Sequence, residues 1–147
     1  MDAKIFTLAE ANAALERVVK PAMQRLTARI AALDGLKNEI DVLRLVVDSG
    51  AAETNPDRAQ LARLEQRERR IHSEIREGVE AIQGAGGVIK DPRAGLVDFF
   101  SIHDGRLVFL CWKLGEDRIR YWHTVEEGFR GRRPLTARQP RDQQREE

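Results

Sequence analysis

A single cysteine, Cys111, excludes an internal disulfide and suits a reducing compartment. No apolar run approaches the roughly 20 residues that a membrane-spanning helix needs, so no membrane partner is expected. The opening MDAKIF lacks a basic stretch followed by an apolar one, which argues against a secretory signal and for a cytoplasmic location. Neither sign of charge dominates: 25 Lys and Arg against 24 Asp and Glu leave a net charge of +1, too little for a global field that would draw nucleic acid. Aromatic residues are scarce at 5%, and they are concentrated. Leu96–Leu135 holds both tryptophans, the only tyrosine, the cysteine and most of the phenylalanines. Hydrophobic residues, at 41% of 147, suffice for one core, so a single domain over 1–135 is expected.

Outside that aromatic stretch the chain reads as helix. Thr7 followed by Glu10 has the spacing of a capping box and sets a helix start near Leu8. Pro21 cannot donate to a helix ladder and disfavours helix at Lys20, so a break is expected there, with a new helix starting on Pro21. From it Met23, Leu26, Ile30, Leu33, Leu36, Ile40, Leu43 and Val47 succeed one another at spacings of three and four, a continuous apolar seam. Asp48-Ser49-Gly50 closes that helix. Asn55-Pro56-Asp57 opens the next, whose seam runs Leu61, Leu64, Ile71, Ile75, Val79, Ile82. Equal lengths and a short polar link predict an antiparallel helical hairpin over 21–83, coiled-coil-like, with Leu33 near Ile71 and Leu26 near Val79.

Gly84-Ala85-Gly86-Gly87 ends the second helix, and Val88-Ile89-Lys90 is a short extended piece. Asp104-Gly105 is a strong hairpin signal and joins Leu96–His103 to Arg106–Lys113. Gly115-Glu116-Asp117 turns the chain into Arg118–His123. The fold class expected is therefore α+β: a short N-terminal helix, a long antiparallel helical hairpin and a three-stranded antiparallel β-meander over 96–123. The charged tail 136–147 lacks apolar periodicity and is expected to be disordered.

Strand parity assigns the faces. A two-residue turn at Asp104-Gly105 puts Val97, Phe99, Ser101, Val108, Leu110 and Trp112 on one face. Asp98, Phe100, Ile102, Leu107, Phe109 and Cys111 fall on the other, with Asp98 directly opposite Cys111. His123 joins Cys111 only if the second turn shifts parity. The apolar Ile119 and Tyr121 favour a regular hairpin, which sends His123 to the helix-packed face and sets Asp98 against Arg120. Two apolar faces need two covers, so a homodimer is expected.

The chain resembles the bacterial family known as domain of unknown function 2203. The resemblance rests on Ile5-Phe6-Thr7-Leu8-Ala9-Glu10-Ala11-Asn12, Gly95-Leu96-Val97-Asp98-Phe99, Asp104-Gly105-Arg106, Leu110-Cys111-Trp112, Gly115-Glu116, Tyr121-Trp122-His123 and Gly128-Phe129 with Gly131-Arg132-Arg133-Pro134. It extends from Lys4 to Leu135. It implies an architecture and supplies no activity.

These residues support three functional expectations. The first is a non-enzymatic, homo-oligomeric interaction protein without a cofactor. The second is a metal or small-ligand site, zinc being the candidate ion, around Asp98, Cys111, Glu116, Arg120, Trp122, His123 and Arg132, with Cys111 and His123 as the metal ligands. Thiolate and imidazole are the donor types that transition metals select, although the chain has no CxxC or HExxH spacing. The third is nucleic-acid binding through Arg130, Arg132, Arg133, Arg138 and Arg141. Near-neutral charge makes it the weakest of the three.

Overall fold

The computed structural model describes residues 4–50 and 55–136. The expectation of disorder for the tail falls on residues outside these, Thr136 excepted. The capping box forms: the Thr7 hydroxyl accepts from the Glu10 amide at 3.0 Å, and the Glu10 carboxylate accepts from the Thr7 amide at 3.0 Å. Helix α1 spans Leu8–Ala14, but it is not the short separate helix expected before Pro21. A π-helical turn, Leu15–Val19, leads directly into α2, Lys20–Asp48, so helical structure continues from Leu8 to Asp48. The Lys20 amide reaches back to the Leu15 carbonyl, and Pro21 sits in the first turn of α2. The wider turn takes up the donor that Pro21 lacks, at the point where a break was expected.

Helix α3, Asn55–Gly84, packs antiparallel on α2. Leu33, Leu36, Ile40 and Ile71 are buried together, flanked by Leu61, Leu64 and Ile75. Ion pairs cross the interface at Arg29–Glu74, 3.2 Å, and Arg44–Glu65, 2.6 Å. The expected hairpin is present.

Among the described residues the sheet has five antiparallel strands, not three, in the order β1 (Val88–Asp91), β2 (Leu96–His103), β3 (Arg106–Lys113), β4 (Tyr121–Thr124), β5 (Arg133–Pro134). The extended piece after the glycines becomes edge strand β1 because Asp91 Oδ1 caps the Arg93 and Ala94 amides and folds the chain back onto β2. The exit read as irregular contains β5. Pro134 is tolerated there because an edge strand needs no inward donor from it.

The core lies between the helices and one sheet face. Val97, Phe99, Leu110 and Trp112, with Ile119, pack against Phe6, Ala11, Leu15, Val19, Met23, Leu26 and Ile82. Phe6 meets Phe99 edge-on with ring centroids 5.2 Å apart. It also lies over Gly86, where an added Cβ would stand 2.3 Å from Phe6 Cζ and where φ is +94°. Both the space and the backbone therefore require glycine at 86. An Arg93–Asp34 ion pair ties the β1–β2 turn to α2.

Candidate metal centre

Register decides what meets on the sheet. Between β2 and β3, Asp98 pairs with Cys111 as parity predicts. Between β3 and β4, Phe109 pairs with His123 and Cys111 with Tyr121. His123 and Tyr121 therefore share the face of Asp98 and Cys111, and the expectation that His123 turns toward the helices is overturned. The reason lies before the strand. β4 begins at Tyr121, and 114–120 form a loop held by the Trp112 indole, which donates to the Glu116 carbonyl, and by the Ile119 amide, which donates to Asn12 Oδ1. Ile119 is buried on the helix side from this loop, so its burial places no constraint on strand parity.

Asp98, Cys111 and His123 are all buried, at 1%, 0% and 1% exposure. Their donor atoms, one carboxylate oxygen, one sulfur and one ring nitrogen, lie within 4.8 Å of one another. His123 Nδ1 stands 2.8 Å from the Thr124 carbonyl oxygen, which can only accept, so Nδ1 carries a hydrogen. That fixes Nε2 as the nitrogen turned to the cluster, 2.9 Å from Asp98 Oδ2. One proton is shared across this contact, held either by the carboxyl or by the ring. Asp98 Oδ1 is buried and, among the described residues, has no donor stronger than the nearby Cys111 thiol.

Burial pushes the Asp98 carboxyl above its ordinary range, opposed by His123, by the Cys111 thiol and by Lys90. Burial, reinforced by the neighbouring Asp98 carboxylate, pushes the Cys111 thiol up to about 12. A thiol so disposed is protonated and a poor nucleophile, and Asp98, not His123, is its acid–base neighbour. The arrangement does not suit covalent cysteine catalysis.

Two long cations border the cluster. The β1–β2 register shifts between Ile89 and Asp91, and the bulged residue, Lys90, reaches across β2 to place its ammonium 4.3 Å from the centre of the Phe109 ring. On the other flank the Arg132 guanidinium lies 4.0 Å from the Tyr121 ring centre and 4.7 Å from that of Phe129. It donates to Glu116 at 2.7 Å and, at 3.5 Å, to the Cys111 carbonyl. Glu116 is itself anchored by the Lys113 amide at 2.7 Å. Thr124, whose carbonyl orients His123, holds Glu127 through its hydroxyl at 2.9 Å.

Of the residues expected at a site, the fold brings Asp98, Cys111 and His123 together, with Glu116 and Arg132 beside them. Arg120 and Trp122 lie elsewhere. Arg120 is exposed and paired with Asp117 at 2.9 and 3.0 Å, so the contact expected between Asp98 and Arg120 is absent and His123 takes that place. Trp122 pairs with Leu110 on the helix-side face and packs on His103, ring centres 5.1 Å apart. Lys90, Tyr121 and Thr124 were not foreseen at the site. Tyr121 comes with the corrected parity, whereas no local signal marks the bulge that aims Lys90. In the arginine run, Arg132 and Arg133 are paired with Glu116 and Glu127, and Arg138 and Arg141 lie outside the described residues.

A family model described as an uncharacterised conserved protein, DUF2203, matches residues 4–135, and the chain belongs to that family. No curated protein and no solved structure matches the chain.

Proposed function

We propose that this DUF2203 protein binds a divalent transition metal ion, zinc by ligand preference, through a carboxylate oxygen of Asp98, Cys111 Sγ and His123 Nε2. The supporting observation is the convergence of oxygen, sulfur and nitrogen donors within 4.8 Å in a buried site, with the second nitrogen of the histidine already spent on a backbone carbonyl. That outer contact is the one metal-bound histidines use to fix tautomer and ring orientation. The competing reading is a buried polar cluster that only links three strands. Against it stands Asp98 Oδ1, a buried acceptor with no strong donor among the described residues, the neighbouring Cys111 thiol being a weak one, because an under-satisfied buried acceptor costs about 1–3 kcal/mol unless something completes it.

The donor set fits zinc chemically. Bonds of about 2.0 Å to nitrogen and oxygen and about 2.3 Å to sulfur put tetrahedral ligands roughly 3.3–3.5 Å apart. The Asp98–His123 contact, at 2.9 Å, has to part by a few tenths of an ångström, about the movement that replacing a shared proton by a metal ion entails. Charge also balances. An ion of charge +2 displaces the Cys111 proton and the proton shared by Asp98 and His123, so the cluster stays neutral beside Lys90 and Arg132. The test is metal analysis of untagged protein after reconstitution with zinc, with cobalt substitution to read the thiolate-to-cobalt charge-transfer band. One equivalent is expected in the wild type and none in Cys111→Ser or His123→Ala. Less than a tenth of an equivalent in the wild type rejects the reading.

An assembly reading is favoured by a separate observation. Near the hairpin tip Val42 and Leu45 are 63% and 72% exposed, and Val42 and Val46 border a groove lined also by Leu43 and Leu64. Leu43 and Val47 occupy the seam, so α2 is apolar around most of its circumference there, as buried helices are. The occupant we propose is the same region of a second copy, whose valines and leucines match this groove in chemistry. Light scattering at micromolar concentration should give the dimer mass and, for Val42→Glu/Leu45→Glu, the monomer mass. A wild-type monomer refutes it.

A further inference from the structure

The helices pack on the sheet face opposite the cluster, while the cluster face is bordered by side chains and by the segment after β4. We propose that this segment, Val125–Pro134, is a latch fastened by Arg132, and that metal enters and leaves the Asp98–Cys111–His123 cluster only when the latch lifts. The inference rests on the metal-binding reading and concerns the control of that same site.

The ligands are 0–1% exposed, so an ion cannot reach them unless part of their cover moves. On the helix side that cover is the main core, with Val97, Phe99, Leu110 and Trp112 at 0% exposure. Along the sheet, β2 and β3 are paired over their full lengths from Leu96–Lys113 to His103–Arg106. The segment after β4 is held far less firmly. β5 contributes two residue pairs, Tyr121–Pro134 and Trp122–Arg133. The other ties to the rest of the fold include the Arg132–Glu116 ion pair, the Thr124–Glu127 hydrogen bond, the long bond from Arg132 to the Cys111 carbonyl, and the stacking of Arg132 on Tyr121, Arg133 on Trp122 and Lys113 on Phe129. Just beyond, the Leu135 amide donates to the Arg120 carbonyl, while the Arg133–Glu127 pair lies within the segment itself. Ion pairs and cation–π contacts this close to solvent are individually weak. Arg132 Nε is buried without a hydrogen bond, so lifting the guanidinium returns that group to water and offsets part of what is lost. Local opening draws on such weakly held segments before a packed core yields.

The latch is tied to two ligand positions. Arg132 donates to the carbonyl of Cys111, and the Thr124 carbonyl at its root orients the ring of His123. Opening therefore uncovers Cys111 and frees the imidazole to turn toward an incoming ion. The two cations beside the cluster, Lys90 and Arg132, also repel a free divalent ion approaching the closed face. Arg132 thus acts as a positioning and gating residue without ligating the metal.

The test tracks cobalt loading by stopped-flow and zinc release to excess chelator, on the full chain. Arg132→Met should keep one equivalent of metal and speed both loading and release about tenfold, with Kd within about threefold of wild type, as expected for one lost pair and one lost stack. Arg132→Lys keeps the charge but loses the planar stack and should fall between. Amide exchange of the metal-free wild type gives a readout that needs no variant: the amides of Gly131 and Arg132 should exchange at least a hundredfold faster than that of Leu110. Rates within twofold of wild type in Arg132→Met, a weakened Kd with unchanged loading, or uniform amide protection would each overturn the latch while leaving the metal site standing. A wild type that binds neither zinc nor cobalt removes the metal reading itself and the latch with it.

Discussion

The Asp98–His123 contact is a buried pair, with side chains 1% and 2% exposed, and a double-mutant cycle on the metal-free protein should expose its coupling. His123→Phe deprives Asp98 Oδ2 of its partner next to an Oδ1 that has no donor stronger than the Cys111 thiol. Breaking a buried polar or ionic pair from one side costs about 3–5 kcal/mol. Asp98→Leu leaves a ring nitrogen unpartnered, a loss of about 1–3 kcal/mol. The double variant leaves no orphan. It sets leucine and phenylalanine beside Phe109, whose ring centre is 5.4 Å from that of His123, and should cost no more than about 2 kcal/mol. The coupling is then at least about 2 kcal/mol, against the 0.3–0.5 kcal/mol or so of scatter seen for independent sites. Urea unfolding in the presence of chelator, with the m-value checked, measures it. A second arm adds zinc at about 100 times Kd, which should stabilise the wild type by about 2.7 kcal/mol and the variants not at all. Single-variant losses that simply add would show that Asp98 and His123 do not depend on each other, and the site as drawn would fail.

Cys111, raised to about 12 in the folded metal-free protein, ionises more readily once unfolded, near the ordinary thiol value of about 8.5. Its contribution to stability is therefore intact below that value and is lost as pH rises toward 12, at up to about 1.4 kcal/mol per pH unit. Urea unfolding at pH 8 and pH 10 should show the fall, and Cys111→Ala should flatten it; equal slopes in both proteins would contradict the burial of the thiol. Gly86→Ala should cost about 2–4 kcal/mol, summing a left-handed backbone and the clash with Phe6, while in a Phe6→Ala background the same change should cost only the backbone share of about 1–2 kcal/mol. Thermal melts decide it, and an equal cost in both backgrounds would mean that the ring does not lie over Gly86.

The helices were legible because their signals are local. A capping box involves residues three apart, and a seam needs only spacings of three and four, so Thr7–Glu10 and Leu33–Ile71 could be placed before the fold was known. Pro21 misled because two structures satisfy its missing donor, a break and a π-helical turn. The choice between them is made by the burial of Leu15 and Val19 under the sheet, which keeps the helix running. The edge strands were missed for a related reason. Four residues at Val88–Asp91 and two at Arg133–Pro134 are too few to show alternation, and they become strands only because β2 and β4 offer free edges beside them.

The candidate site divides along the same line. Asp98 faces Cys111 because Asp104-Gly105, with φ of 52° and 73°, makes the two-residue turn that its residue types prescribe, and a turn fixes register along both strands. His123 is reached through a loop, and a loop takes its path from what it touches. Asn12, on α1, accepts the Ile119 amide and draws that side chain into the core, so Ile119 spends its apolar character before β4 begins. Tyr121 and His123 are then free to face Cys111 and Asp98. The third donor of the cluster is thus set in register by a residue near the opposite end of the chain, which is why the spacing of 98, 111 and 123 matches no metal-binding motif and why parity counted along the strand alone pointed His123 the wrong way.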